Sequence, residues 1–485
     1  MTERPGPLQV SRPTAPRALL LVLLYSLPIF LAVRPITDPD IWSHLRYGQW
    51  IVEHRAIPFT DAFSSYGLGK RWIAYSWLFE VLVYGLYRSL GLLGLVLYTA
   101  ALAILITWAL HALMDRFQPD PAIACILTAA GILAMAPVLI HPRPWLPTIF
   151  FFIVEVSLVL MARQSGERWP LLFLPPVFVL WANVHIQFVY GLFVLGVAAL
   201  EPLIEGDGGR DRPNRQRRFW WMARLLVVCG LATLVNPYGF RIYLPVYDAI
   251  TVIHPSLYLQ EFQAPQFRSI FDWIMLAVTL GGVFVLGRQK SIRALPALLL
   301  VSGILLSFRA GRDVWFVVVA ALIVLVANWS REGRSVSRLS GPWRVGVIAA
   351  VATVAVAGVS LKVGRDRLEV VVAETFPAAA AAAIEQGGYS GPIYNHYDWG
   401  GYLMWRLPGF LVSMDGRAPL YGDARILRSV ATWAGQEGWD SDPELLGAGI
   451  VIGQRKSALV SLLRRDARFE LAYQDGLAAV FIPRR

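Results

Sequence analysis

Between residues 34 and 54 the chain reads "RPITDPDIWSHLRYGQWIVEH", with two aspartates, two histidines, two arginines and two tryptophans directly after an oily stretch. Carboxylates and imidazoles are the side chains best suited to moving protons near neutral pH. Asp38 followed by Pro39 predicts a helix start, with the carboxylate as cap and the proline at the first helical position. On that helix Ile41, Trp42, Leu45, Gly48, Gln49 and Val52 fall roughly on one side, while Asp40, His44 and Tyr47 share another at i, i+4 and i+7 spacing. An interfacial helix of this kind rests its apolar stripe on lipid or protein and presents a carboxylate and an imidazole to the outer space. A bland account also exists: Asp38 caps the helix and Asp40 favours its dipole.

The elements that must position these groups are set by composition. Of 485 residues 56% are hydrophobic and 16% charged, and the mean hydropathy is +0.52, which marks an integral membrane protein. Candidate spans lie near 18–35, 91–113, 121–140, 146–162, 170–183, 187–204, 220–236, 271–287, 294–308, 313–329 and 343–361, about eleven in all. The first follows Arg4, Arg12 and Arg17 without a small-residue cleavage site and is expected to be an uncleaved anchor. Cys125 and Cys229 both fall inside apolar segments, so no disulfide framework is expected.

The net charge of +11 is explained by orientation. With a cytoplasmic N-terminus, alternation puts Arg116, Arg163, Arg168, "GGRDRPNRQRR" (208–218), "RQKSIR" (288–293) and "REGRSVSRLSGPWR" (331–344) all inside. No basic cluster is left for a nucleic-acid surface. Six of the seven histidines, all but His111, then lie at outer ends of spans or in outer segments, so any chemistry is expected outside. The first outer loop, 36–90, carries the opening motif and the amphipathic "IAYSWLFEVLVYGLYRSLG". The expected division is a membrane domain over 1–364 and an extracytoplasmic soluble α/β domain over 365–485, in which "GPIYN", "FLVSMD", "GIVIG" and "AAVFI" are β-like runs.

The acidic "TDPDIW" in a first outer loop, interfacial helices in that loop, an arginine-studded many-span body and an outer C-terminal domain together resemble the C-type, polyprenyl-phosphate-dependent glycosyltransferases. Their relatives include the protein O-mannosyltransferases and the lipid A aminoarabinose transferases. Many of those relatives carry adjacent Asp-Glu and an aromatic residue four places after the Asp. Here Ile41 follows Asp40, and His44 holds the fourth place.

The resemblance implies sugar transfer from a polyprenyl-phosphate-linked donor to a glycan, lipid or protein acceptor at the outer face of the cytoplasmic membrane. A carboxylate would deprotonate the acceptor, and cations would hold the departing phosphate. Asp40 is the candidate base, with Asp38 the other candidate. His44, Lys70, Arg71, His141, Arg143, His185, Arg309 and Arg312 are candidates for substrate binding, Arg241 also standing at an outer span end. Snorkelling to headgroups is the alternative account of the arginines. A divalent metal is left open as cofactor; His141 and His185 are the histidines available to join Asp40 around it, although no compact ligand spacing marks such a site. In the C-terminal domain Tyr402, Trp405, Asp415, Arg417 and Asp423 are suited to face a sugar acceptor. Competing readings are a polysaccharide ligase or polymerase using arginine and histidine, a noncatalytic assembly subunit, and a transporter, for which no internal repeat is found.

Overall fold

A computed structural model describes residues 15–204, 212–251, 254–290, 292–327, 353, 358 and 363–484. Helices occupy ten of the eleven expected spans: α1 (Ala15–Ala32), α4 (Leu92–Phe117), α5 (Pro121–Ala134) extended by the single turn α6 (Ala136–Leu139), α7 (Trp145–Ser165), α8 (Leu174–Val184), α9 (Phe188–Ile204), α10 (Arg212–Ala232), α12 (Ile270–Gly287), α13 (Ala294–Arg309) and α14 (Val314–Ala327). The expected span at 343–361, the basic loop at 331–344 and the start of the 208–218 loop lie outside the described residues. Among those described, α4, α7 and α12 are by length and composition long and apolar enough to cross a membrane, and five shorter stretches of helix are apolar as well.

The 36–90 segment, expected outside, folds into α2 (Ile41–His54) and α3 (Trp77–Leu90), and a short helix α11 (Leu244–Thr251) lies in the 236–269 segment, also expected outside. α2 begins two residues later than the sequence predicts, and Pro39 is not its first residue. The Asp38 carboxylate accepts the Asp40 backbone N–H at 2.9 Å, the bond a cap makes to the second residue after it, and Asp40 already has helical backbone angles, so the first turn is entered over residues 39 and 40. Arg55, in the left-handed region at φ 50, ends it. The first half of the apolar stripe of α2 lies on protein, Ile41, Trp42 and Leu45 being buried and each contributing about 1.5–3 kcal/mol, whereas Val52 at its far end is exposed. Gly48 lets α3 approach so closely that an added Cβ would stand 2.1 Å from the Glu80 carbonyl oxygen.

The C-terminal region carries a small mixed sheet of order β1-β2-β4-β3, built from β1 (Ile393–Asn395), β2 (Ile450–Gln454), β3 (Phe469–Gln474) and β4 (Ala478–Pro483). β1 pairs with β2 in parallel, and β4 pairs antiparallel with both β2 and β3. "FLVSMD" is not a strand of its own: only Val412 bridges, to Ile393 and to Ser64 of the 36–90 segment, and β3 takes the fourth place in the sheet. The region is not insulated from the membrane body. Trp42 of α2 meets Phe376 and Tyr402 edge-on at ring distances of 5.5 and 5.1 Å, and one continuous apolar cluster runs through both.

Candidate active site

A cavity of about 440 Å³ opens where α2, the loops at the near ends of α7, α8 and α14, the 245–262 segment and the 397–419 segment converge. Asp40, His44 and Tyr47 all line it, as their shared helical face requires. The two aspartates separate sharply in exposure. The Asp38 side chain is 2% exposed and Asp40 26% exposed, so Asp40 alone offers its carboxylate to the cavity.

Arg143 joins the two. Its Nε donates to Asp38 and its Nη1 to Asp40, while the guanidinium lies 5.0 Å over the Trp145 ring. Trp145 is anchored by its own N–H to the Val138 carbonyl at 2.8 Å, so the turn before α7 fixes the arginine. Burial opposes its charge, but Asp38, Asp40 and Glu261 outweigh that cost and push the guanidinium pKa up. Arg143 is thus a rigid fork that orients both carboxylates.

On the opposite wall stand Arg312 and Glu261, 3.8 Å apart, with Arg312 lying 3.9 Å over the Phe262 ring. The Arg312 Nε is buried without a hydrogen-bond partner among the described residues. A third of the Glu261 side chain is open to the cavity, yet the protein around it raises its pKa by desolvation, against the pull of Arg143 and Arg312. His44 Nδ1 lies 3.2 Å from Glu80 Oε1, which steadies the imidazole beside Asp40.

His185 lines the cavity, but its Nδ1 is held 3.0 Å from the Thr148 hydroxyl, and burial, reinforced by Arg312, His44 and Arg143, drives its pKa well down. His141 is not a lining residue, and burial lowers its pKa. Among the described residues no group of three or more His, Cys, Asp and Glu side chains is placed to hold a metal ion.

The remaining basic candidates stay away from the cavity. Arg309, Lys70, Arg71 and Arg241 do not line it; Lys70 sits 3.1 Å over the Tyr66 ring, and Arg71 bridges back to Thr60.

Three partners of the site carry weak sequence signals. Glu261 is the only carboxylate between Asp248 and Asp272. Gly416 touches Asp40 from 376 positions away: a Cβ there would stand 2.0 Å from Asp40 Oδ1. Arg417, suited by its chemistry to face a sugar, lines the cavity but is largely buried. It donates to Asp61 Oδ1 at 2.5 Å and to Asp415 at 2.5 and 2.7 Å, and also to the Tyr47 hydroxyl. Burial raises the Asp61 pKa, but the Arg417 charge and the Ser64 hydrogen bonds outweigh it, and the net shift is downward. The neighbouring candidates are occupied as well: Tyr402 packs on Trp42, Trp405 on Tyr84 and Tyr87, and Asp423 binds His254 and Tyr258.

No protein-family model matches the sequence, and no curated protein matches it. Solved structures do. ArnT from Cupriavidus metallidurans matches over 96% of this chain, both bound to undecaprenyl phosphate (TM-score 0.53, 98% of that chain) and in the apo state (TM-score 0.54, 97% of that chain), at 14% identity in each case. An oligosaccharyltransferase of Archaeoglobus fulgidus, in complex with zinc and sulfate, matches at TM-score 0.45 and 11% identity, over 90% of this chain and 68% of that one. Over nearly its whole length, from the first loop with its paired aspartates through the helical body to the C-terminal region, the chain shares the fold of ArnT.

Proposed function

We propose that the protein transfers a sugar from a polyprenyl-phosphate donor to a glycan, lipid or protein acceptor at the outer face of the cytoplasmic membrane, with Asp40 as general base. The observation that carries this reading is that Asp40 and Arg312 line one cavity, the first with an exposed carboxylate and the second with an unpartnered buried N–H. The likeness to a fold found with undecaprenyl phosphate in ArnT supports the choice of donor class.

In the step itself the acceptor hydroxyl loses its proton to Asp40 as its oxygen bonds to the anomeric carbon. The bond from that carbon to the phosphate oxygen breaks, and the electron pair leaves with the polyprenyl phosphate. A single displacement of this kind inverts the anomeric centre. Arg312 meets the charge that develops on the phosphate, where a planar guanidinium binds two oxygens at once. Arg143, already committed to two carboxylates, holds the base in place.

The test is release of polyprenyl phosphate from a panel of lipid-linked sugars by the purified protein. Asp40→Asn should cut release by about a hundredfold to ten-thousandfold while donor binding persists. Arg312→Gln should instead weaken donor binding. Full transfer by a folded Asp40→Asn protein would remove the base assignment and favour the arginine-histidine ligase reading.

A further inference from the structure

A second cavity, of about 360 Å³, lies at the far end of the helix bundle. α7 begins at Trp145 on the wall of the first cavity, and its 21 residues carry the chain about 31 Å away at 1.5 Å per residue. Arg163, in its last turn, lines the second cavity together with Glu201 of α9 and Arg218 and Trp221 of α10, and Arg168 closes it from the turn after α7. The two cavities share no residue.

The cations here are not equivalent. Arg163 pairs with Glu201, which is buried and also accepts the Leu295 backbone N–H at 3.1 Å, so this pair forms the floor. Arg168 and Arg218 stand exposed at the rim, Arg168 held 5.1 Å over the Trp221 ring, and neither meets a carboxylate among the described residues. Glu167, the other acid of the lining, accepts the Trp169 indole N–H at 2.5 Å. Two guanidinium forks over a polar floor form a receptor for a phosphate group.

The surroundings indicate what carries that phosphate. Trp169, Leu172, Phe173, Leu203 and Trp220 near the rim are between 50 and 65% exposed. Exposed tryptophans among aliphatic side chains at the end of a hydrophobic bundle mark the level of lipid headgroups. A soluble phosphate would use the arginines alone, whereas a phospholipid would also cover the apolar surface with its chains. We propose that this cavity binds the phosphate of an anionic phospholipid in the leaflet opposite the Asp40 site. Basic pockets between membrane helices take such headgroups on electrostatic grounds, and Arg168 and Arg218 select a net negative headgroup over a zwitterionic one.

The experiment uses the full chain in detergent and does not involve sugar transfer, so it stands apart from the proposed activity. Native mass spectrometry with phosphatidylglycerol and with phosphatidylcholine, and thermal melting with inorganic phosphate, are run on the wild type and on the R168Q/R218Q double variant. The expected result is a one-to-one phosphatidylglycerol adduct, preferred over phosphatidylcholine and weakened about tenfold to thirtyfold in the double variant. Arg288→Gln, which removes a basic charge beyond the last turn of α12, should leave it unchanged. Stabilisation of the wild type but not the double variant by inorganic phosphate, with phosphatidylglycerol bound alike by both, would replace the lipid by a soluble phosphate. A double variant that binds both ligands as the wild type does would overturn the site.

Discussion

Asp38 and Asp40 differ by one intervening proline in sequence and by an entire role in structure. Asp38 is enclosed, accepts the Asp40 backbone N–H and takes half of the Arg143 fork. Replacing it by Asn keeps the shape but removes the charge that faces a buried guanidinium, which costs about 1–3 kcal/mol. Asp38→Asn should therefore melt at a lower temperature than the wild type and lose transfer along with fold. An Asp38→Asn protein with wild-type thermal melting and no transfer would move the base from Asp40 to Asp38. Capping alone does not account for Asp38, because the residue that completes its environment, Arg143, is 105 positions away.

At the scale of elements, α2 and the spans were legible because periodicity and hydropathy are local properties: Asp40, His44 and Tyr47 share a face whatever surrounds the helix. The other wall was not, because Gly416 and Arg417 reach the site only through the tertiary fold, and no spacing in "MDGRAP" records which residue they meet. Arg309 and Arg312 show the same limit, since both flank one short turn and only Arg312 lines the cavity. Gly416→Ala is the sharpest test of this wall. Its Cβ would meet the Asp40 carboxylate that Arg143 holds, so the carboxylate must shift in the fork; some thermal stability should be lost, and turnover should fall by about a hundredfold from a misplaced base. Equal thermal melting with equal turnover would show that Gly416 does not set the position of Asp40. The Asp61–Arg417 pair makes a second element-scale prediction. Because the folded-state pKa of Asp61 lies below its ordinary value of 3.8, its stabilising effect is complete above that pH and disappears as the pH falls through the folded value. The melting-temperature gap between wild type and Asp61→Asn should thus be constant from neutral pH to about 4 and close below it. A gap that closes between pH 7 and 5 would assign the effect to another group.

For the whole molecule, the segments that line the Asp40 cavity were expected outside, whereas the second cavity is lined by the 163–168 and 214–218 stretches, expected inside, together with residues of the expected spans. A reporter fused after residue 212 should accordingly be cytoplasmic and one after residue 485 external; an external label that reaches the N-terminal end of α10 in intact cells would invert the assignment. The Asp61–Arg417 pair also gives the site a birth order. Its two halves are separated by 356 residues, which a ribosome adding roughly 5–20 residues per second takes about 20–70 s to make. For that interval the first loop with Asp40 has been made, but Gly416 and Arg417, which complete the wall around it, have not. On the proposed function, products that end before residue 416 lack this part of the wall and should release no polyprenyl phosphate from lipid-linked sugars.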